Sequence, residues 1–261
     1  MSKTNIATYM VIAGHKKYYE YAYYAVNSFL TNNEGHDLFL LVDKPKAIKE
    51  FSHPNLKVID YGKLLMNVEV PVLHQVESNV KPSMVGLEYF DRVHNQLFIA
   101  DSIPCIESFL HGLGYTHVLR LDIDSLFIGN IFDRLIPEIE RDEEVAVWWV
   151  ERSDPAMFTR AEKAYKFGAG FTLWRHGGPF VPFYLEYFKD DEQETMVHNI
   201  YPRNDIKCRL LKHPGYHFVY PFKKNPAFDR ETAKKFIPAY FHFTGNDLEA
   251  KQAKVWGWFH D

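Results

Sequence analysis

Short apolar runs alternate along this chain with longer stretches that repeat every three to four residues. Ile6 to Ala13 is almost wholly apolar and stops at Gly14, which predicts a buried first strand. From Tyr18 to Leu30 the spacing is helical, and Tyr19, Ala22, Val26, Phe29 and Leu30 share one face. Asn32-Asn33-Glu34-Gly35 ends that helix, and Leu38 to Val42 and Leu56 to Ile59 predict a second and a third strand. Strand, helix and strand at this spacing predict parallel pairing with right-handed crossovers. Val68 to Pro82 has no clean period and reads as a loop. Leu87 to His111 reads as helix with a break near Ser102 and Pro104, because proline can open a second helix. Val145 to Val150, Phe167 to Trp174, Tyr216 to Tyr220 and Tyr240 to Phe243 predict further strands. Ser153-Asp154-Pro155 reads as a helix start, and Gly178 to Lys189 and Glu192 to Tyr201 as helices. No repeat, low-complexity segment or linker interrupts this order, so one α/β domain over residues 1–261 is expected.

The densest chemistry lies between Gly114 and Phe127. An apolar run ends there in Asp122-Ile123-Asp124. Side chains two apart in a strand share a face, so the two aspartates should converge at its carboxyl end. Open α/β sheets place their ligands at that end. Paired carboxylates there suit a hard divalent cation that also holds a diphosphate. An ordinary strand entering an acidic turn would read the same way.

Three other patches bear on this pair. Phe167-Gly168-Ala169-Gly170-Phe171 opens a strand with glycines, which admit a ligand or simply tight packing. Asp191-Glu192-Gln193-Glu194-Thr195 opens a helix, where acids also complement the helix dipole. Ala239-Tyr240-Phe241-His242-Phe243-Thr244-Gly245 sets a histidine among aromatics, the setting of many core histidines. Histidine beside carboxylates is nevertheless a competent Mn²⁺ ligand and a rare one for Mg²⁺ or Ca²⁺.

Composition narrows the function classes. With 46% hydrophobic and 25% charged residues, the 261-residue chain is expected to be a soluble globular protein. Aromatics reach 16%, which fits a ring-rich core or a ring-lined cleft. A net charge of −4 without a long basic run argues against nucleic acid as main partner. Cys105 and Cys208 have no zinc spacing and indicate no disulfide framework, so a reducing compartment fits. The apolar stretch after Asn5 is too short and punctuated for a signal peptide, and no run reaches membrane-spanning length. The expectation is a cytoplasmic or soluble protein, peripheral at a membrane at most.

Asp-x-Asp after a strand, then Phe-Gly-Ala-Gly, Glu-Gln-Glu and His-Phe-Thr-Gly, in that order, resembles the retaining nucleotide-sugar glycosyltransferases of the GT-A fold. The resemblance is to the family of glycogenin and bacterial lipopolysaccharide galactosyltransferases, and it spans the first strand to about Lys254. It implies a single GT-A (Rossmann-like) domain with a mixed, mostly parallel central sheet flanked by helices. It also implies transfer of a hexose from a UDP-sugar to a hydroxyl of a glycan, glycolipid or glycoprotein acceptor, with retention.

By that resemblance Asp122, Asp124 and His242 would bind Mn²⁺, with Mg²⁺ as the alternative. Gly245 would bring its backbone to the phosphates. Lys251, or Lys254, would neutralise them. Ala13 to Tyr18 resembles the turn that holds uracil, with Tyr18 stacking on the base, although His15 and Lys16 replace the family's acidic or amide residues. Arg92 of Tyr89-Phe90-Asp91-Arg92 would contact donor phosphate or sugar. Ala169 and Gly170 would line the donor, while Gly168 stands where the family has asparagine. Glu192 would lie near the anomeric carbon, and Gln193 would face the reacting sugar. Val255 to Phe259 would pack over the donor site or the sheet, or else touch an acceptor or a membrane surface. An inverting GT-A transferase, a haloacid-dehalogenase-like phosphatase and a non-enzymatic sugar-nucleotide or glycan-binding module remain as alternatives.

Overall fold

The computed structural model describes residues 4–14, 16–48, 51–67, 87–151, 159–160, 163–164, 167–188, 192–212, 216–219, 230–231, 240–243 and 248–260. The expected loop over Val68 to Pro82 and helix start at Ser153-Asp154-Pro155 lie outside them. In chain order the elements are β1 (Ile6–Ile12), α1 (Lys16–Asn32), β2 (Leu38–Val42), β3 (Leu56–Asp60), α2 (Tyr61–Asn67), α3 (Leu87–Phe109), β4 (His117–Leu121) and β5 (Ser125–Phe127). Then come α4 (Phe132–Arg141), β6 (Val147–Glu151), β7 (Thr159–Arg160), β8 (Lys163–Ala164), β9 (Phe167–Arg175), α5 (Phe180–Tyr187) and α6 (Glu192–Glu194). After α6 the chain widens into a π-helix over Thr195–Ile200, and β10 (Cys208–Leu211), β11 (Tyr216–Val219), β12 (Tyr240–Phe243) and α7 (Leu248–His260) follow.

Seven strands form the central sheet in the order β10-β6-β9-β4-β1-β2-β3. All neighbours pair in parallel except β9, which runs antiparallel to both β4 and β6. The mixed, mostly parallel α/β sheet is the one the resemblance implies. Both faces of the sheet are covered at its centre, which is why β1, β2 and β9 read as near-continuous apolar runs. Met10 and Ile12 of β1 join a core with Phe29 of α1 and Phe132 of α4, while Tyr9 and Val11 point to a second core with Ile106 of α3 and Tyr184 of α5.

A smaller sheet, β11-β12-β5, sits beside the carboxyl end of β4. Val255 of α7 packs on it against Leu126, Phe241 and Phe243. The aromatic C-terminal segment is therefore a helix over this sheet.

Two expectations change. Helix α3 runs unbroken through Ser102 and Pro104. An internal proline costs about 3 kcal/mol, but Ile103, Cys105 and Ile106 flank it in the second core, and this burial outweighs the cost. The stretch from Glu192 to Tyr201 is not a plain α-helix. Tyr201 N donates to Met196 O, five residues back, in the wider π turn.

His117 opens β4 at 3% exposure, with its Nδ1 2.9 Å from Thr116 Oγ1. Burial, aided by Arg175 on the paired strand, lowers its pKa from 6.5 to about 4. Between those values the unfolded chain binds a proton that the folded chain refuses. Stability is therefore full above pH 6.5 and falls with pH towards 4, by about 2 kcal/mol at pH 5 from this group. Guanidinium melts of the parent and of His117→Phe at pH 7.5 and pH 5 should show a smaller acid loss in the variant. Equal losses would exclude this histidine as the cause.

Candidate active site

The site exists because β9 runs antiparallel to β4. Leu121 pairs with Phe171, so the glycine-rich entrance of β9 lies against the exit of β4. Strand β4 ends at Leu121, and Asp122-Ile123-Asp124 turns directly into β5. Convergence of the two aspartates thus comes from a turn, not from the pleat of one strand as expected from the spacing. The turn is tied on three sides. Asp122 N donates to Gly170 O (2.9 Å) and Phe243 N to Asp124 O (2.8 Å). Gln252 of α7, fully buried, donates its amide to Ile123 O (3.1 Å) and Ser125 O (2.9 Å).

Register also delivers the histidine. His242 pairs with Ser125 across β12 and β5, which sets its ring over the turn. Its Nε2 lies 2.9 Å from Asp124 Oδ1 and 3.7 Å from Asp122 Oδ2. One ligand atom from each of the three residues falls within 4.8 Å of the others. Neighbouring ligands about 2.1 Å from one divalent ion stand about 3 Å apart, so the triad fits such an ion. Burial raises the Asp124 pKa, and His242 opposes the rise.

Gly170 leaves the room for this arrangement. A Cβ there would fall on Asp122 Oδ2 and lie 2.5 Å from His242 Cε1 and 2.9 Å from Asp122 Cγ. Gly170→Ala should keep the fold but push Asp122 and His242 apart, weakening any divalent-cation binding at the triad by about 10- to 100-fold. Titration calorimetry with Mn²⁺ checks this; parent-like affinity would remove Gly170 from the metal cradle.

Behind the triad lies Arg120 of β4, a guanidinium with 1% exposure. It donates to Asp122 Oδ1 (2.8 Å) and, through two nitrogens, to Glu192 Oε2 (2.5 Å) and Oε1 (2.8 Å). Burial alone would lower its pKa, but the Glu192 and Asp122 carboxylates outweigh that and hold it above its ordinary value. One buried cation thus orients both Asp122 and Glu192. Gln193 turns the other way: its Oε1 accepts from Ala169 N (2.6 Å), and its Nε2 donates to Phe167 O (3.0 Å). These bonds fix the entrance of β9.

Tyr18 and Tyr21 of α1 line a cleft of about 110 Å³ with Arg120, Asp122, Asp124 and Leu248. Ala13 is buried at the exit of β1, one residue before Gly14, whose φ of +87° suits glycine. Two side chains from the exit of β2 hold that turn. Gly14 N donates to Asp43 Oδ2 (2.9 Å), and Lys44 Nζ donates to Gly14 O (2.9 Å). The Tyr19 hydroxyl donates to Asp43 Oδ1 and accepts from Lys44 N. Lys251 lies one turn along α7 from Leu248, and Lys254 sits 5.6 Å over the Trp258 ring. His15, Gly245 and the side chains of Lys16 and Arg92 lie outside the described residues.

Sequence reading missed Arg120, Asp43 and Gln252. Only Arg120 gives a signal, as a charge inside an apolar strand that burial permits only when paired.

No protein-family model matches the sequence, and no curated protein does. Solved structures do. Mouse xyloside xylosyltransferase 1 aligns over 93% of this chain and 98% of its own at 12% identity and a TM-score of 0.56. A glycosyltransferase involved in glycosylation of the major capsid of PBCV-1 aligns over 95% and 99% at 11% identity and a TM-score of 0.52. Glycosyltransferase GlyE of Streptococcus pneumoniae TIGR4 aligns over 98% of this chain but 60% of its own, at 15% identity and a TM-score of 0.52. At such identities the likeness is one of fold. The chain has the GT-A fold that these glycosyltransferases share.

Proposed function

We propose that this protein is a metal-dependent glycosyltransferase that moves a hexose from a UDP-sugar to an acceptor hydroxyl with retention at the anomeric carbon. The observation that carries this reading is the Asp122, Asp124 and His242 triad, packed on Gly170 at the sheet's carboxyl end. The acceptor in this reading is a glycan, glycolipid or glycoprotein. No helix among the described residues is long and apolar enough to cross a membrane.

In this reading the triad holds Mn²⁺, or Mg²⁺ with a poorer match to the imidazole. An ion held there would supply Lewis-acid assistance to departure of the diphosphate. Tyr18 and Ala13 take the uracil, with the turn fixed by Asp43 and Lys44. Arg120 orients Glu192 through two hydrogen bonds, so its carboxylate can offset positive charge growing on the sugar. Gln193 acts through Ala169 and the β9 entrance. Gly245, Arg92 and Lys251 serve the phosphates. Retention rests on the likeness of Glu192-Gln193-Glu194 to the family's Asp-Gln-Asp.

The test is slow donor hydrolysis, which needs no acceptor. UDP-glucose, UDP-galactose and UDP-N-acetylglucosamine are incubated with enzyme and Mn²⁺. UDP release from one of them, with an α-configured sugar product by proton NMR, is expected. Cleavage of a simple phosphoester without any UDP release would instead favour the phosphatase. UDP and Mn²⁺ binding without turnover would favour a binding module.

A further inference from the structure

A second cleft, of about 390 Å³, opens on another flank of α1. It is lined by Tyr19, Glu20, Tyr23 and Tyr24 of α1, Ile48 and Phe51 before β3, and Glu249 of α7. Its volume lies within the range of small-molecule sites. It shares no lining residue with the cleft at the metal triad, although neighbouring residues of α1 and α7 serve each. Helical spacing explains the division, since 19 and 23, and 20 and 24, stack one turn apart while 18 and 21 face elsewhere.

The walls are rings in fixed positions. The Tyr19 hydroxyl is committed to Asp43, which locks that ring. Tyr23 meets Tyr24 edge-on at 5.3 Å and stands 6.1 Å from Phe51. Tyr23 is still 48% exposed, so its ring is open to a ligand from solvent. Two carboxylates, Glu20 and Glu249, enter from different helices.

We propose that this second cleft is a carbohydrate-binding subsite, separate from the metal-centred cleft. A pyranose offers C–H faces to aromatic rings and a rim of hydroxyls that donate to carboxylates. Walls of tyrosine and phenylalanine with one acid on each of two helices match both features. A quaternary ammonium would need ring faces converging on one point, and its binding in place of a saccharide is an outcome of the test. The occupant is a short oligosaccharide, held independently of metal and nucleotide. The inference stands apart from the proposed transfer reaction.

The experiment measures binding of neutral di- to tetrasaccharides of glucose, galactose and N-acetylglucosamine by saturation-transfer NMR, without UDP or metal. At least one should bind the parent, and Tyr23→Ala and Glu249→Gln should each weaken it by about tenfold, the loss of a single ring or hydrogen-bond contact. Mn²⁺ and UDP affinities should stay at parent values in both variants. No saccharide binding, or binding equal in parent and variants, overturns the proposal. So does binding of tetramethylammonium in place of any saccharide. Saccharide binding without donor hydrolysis would sink the proposed reaction and leave this subsite standing.

Discussion

For the proposed metal-dependent transfer, Asp124→Asn is expected to lower donor turnover by about 100-fold or more while leaving the protein folded. The amide has the shape of the carboxylate but not its charge, and the triad keeps only Asp122 and His242 as charged or strongly basic donors. Loss of a few kcal/mol of Lewis-acid assistance converts directly into that factor. Stability should not suffer. Burial raises the Asp124 pKa, which means that its charged form is strained without an ion. A neutral residue should melt at or above the parent temperature in metal-free buffer. The two proteins should then part on adding Mn²⁺: the parent's Tm rises by mass action on the folded state, and the variant's does not. Turnover near the parent level with a parent-like Mn²⁺ shift would remove Asp124 from the site.

How far the sequence reveals this protein depends on how local each cause is. Strands β1, β2 and β9 are buried on both faces, and that burial writes itself into consecutive letters. Helix α4 escaped notice although Phe132, Leu135 and Ile139 lie on one face, because Pro137 and five charged residues break up the stretch. Edge strand β10, only partly buried, mixes cysteine, arginine and leucine and has no clean period. The grouping of Asp122, Asp124 and His242 was legible through residue type and order. Its geometry was not, since the turn after Leu121 is fixed by β9, β12 and α7 from far along the chain. Arg120 meets Glu192 across 72 positions, and Gln252 reaches Ile123 across 129. Such partners leave no periodic trace, and the only hint is a lone charge where burial should forbid one.

Arg120→Met is expected to cost the most stability of any single change at the site. Methionine fills much of the volume but removes the only cation seen to bridge Asp122 and Glu192. Two carboxylates are then left facing each other with side-chain exposures of 27% and 21%. Removing one partner of a buried ion pair costs about 3–5 kcal/mol, and for a chain of this size that lowers Tm by roughly 10 °C. Lysine should not rescue it, because one ammonium cannot reproduce the forked contacts to two acids. The double variant Arg120→Met/Glu192→Leu separates the two roles of the guanidinium. Removing the stranded Glu192 carboxylate should restore much of the Tm, and the double-mutant cycle should show coupling well above the additive expectation. Donor turnover should remain low in both, since neither retains an oriented Glu192. A Tm within about 1 °C of the parent for Arg120→Met alone, far below the shift expected for a stranded pair, would mean that the clamp carries no structural weight. Recovery of turnover in the double variant would mean that Glu192 takes no part in the chemistry.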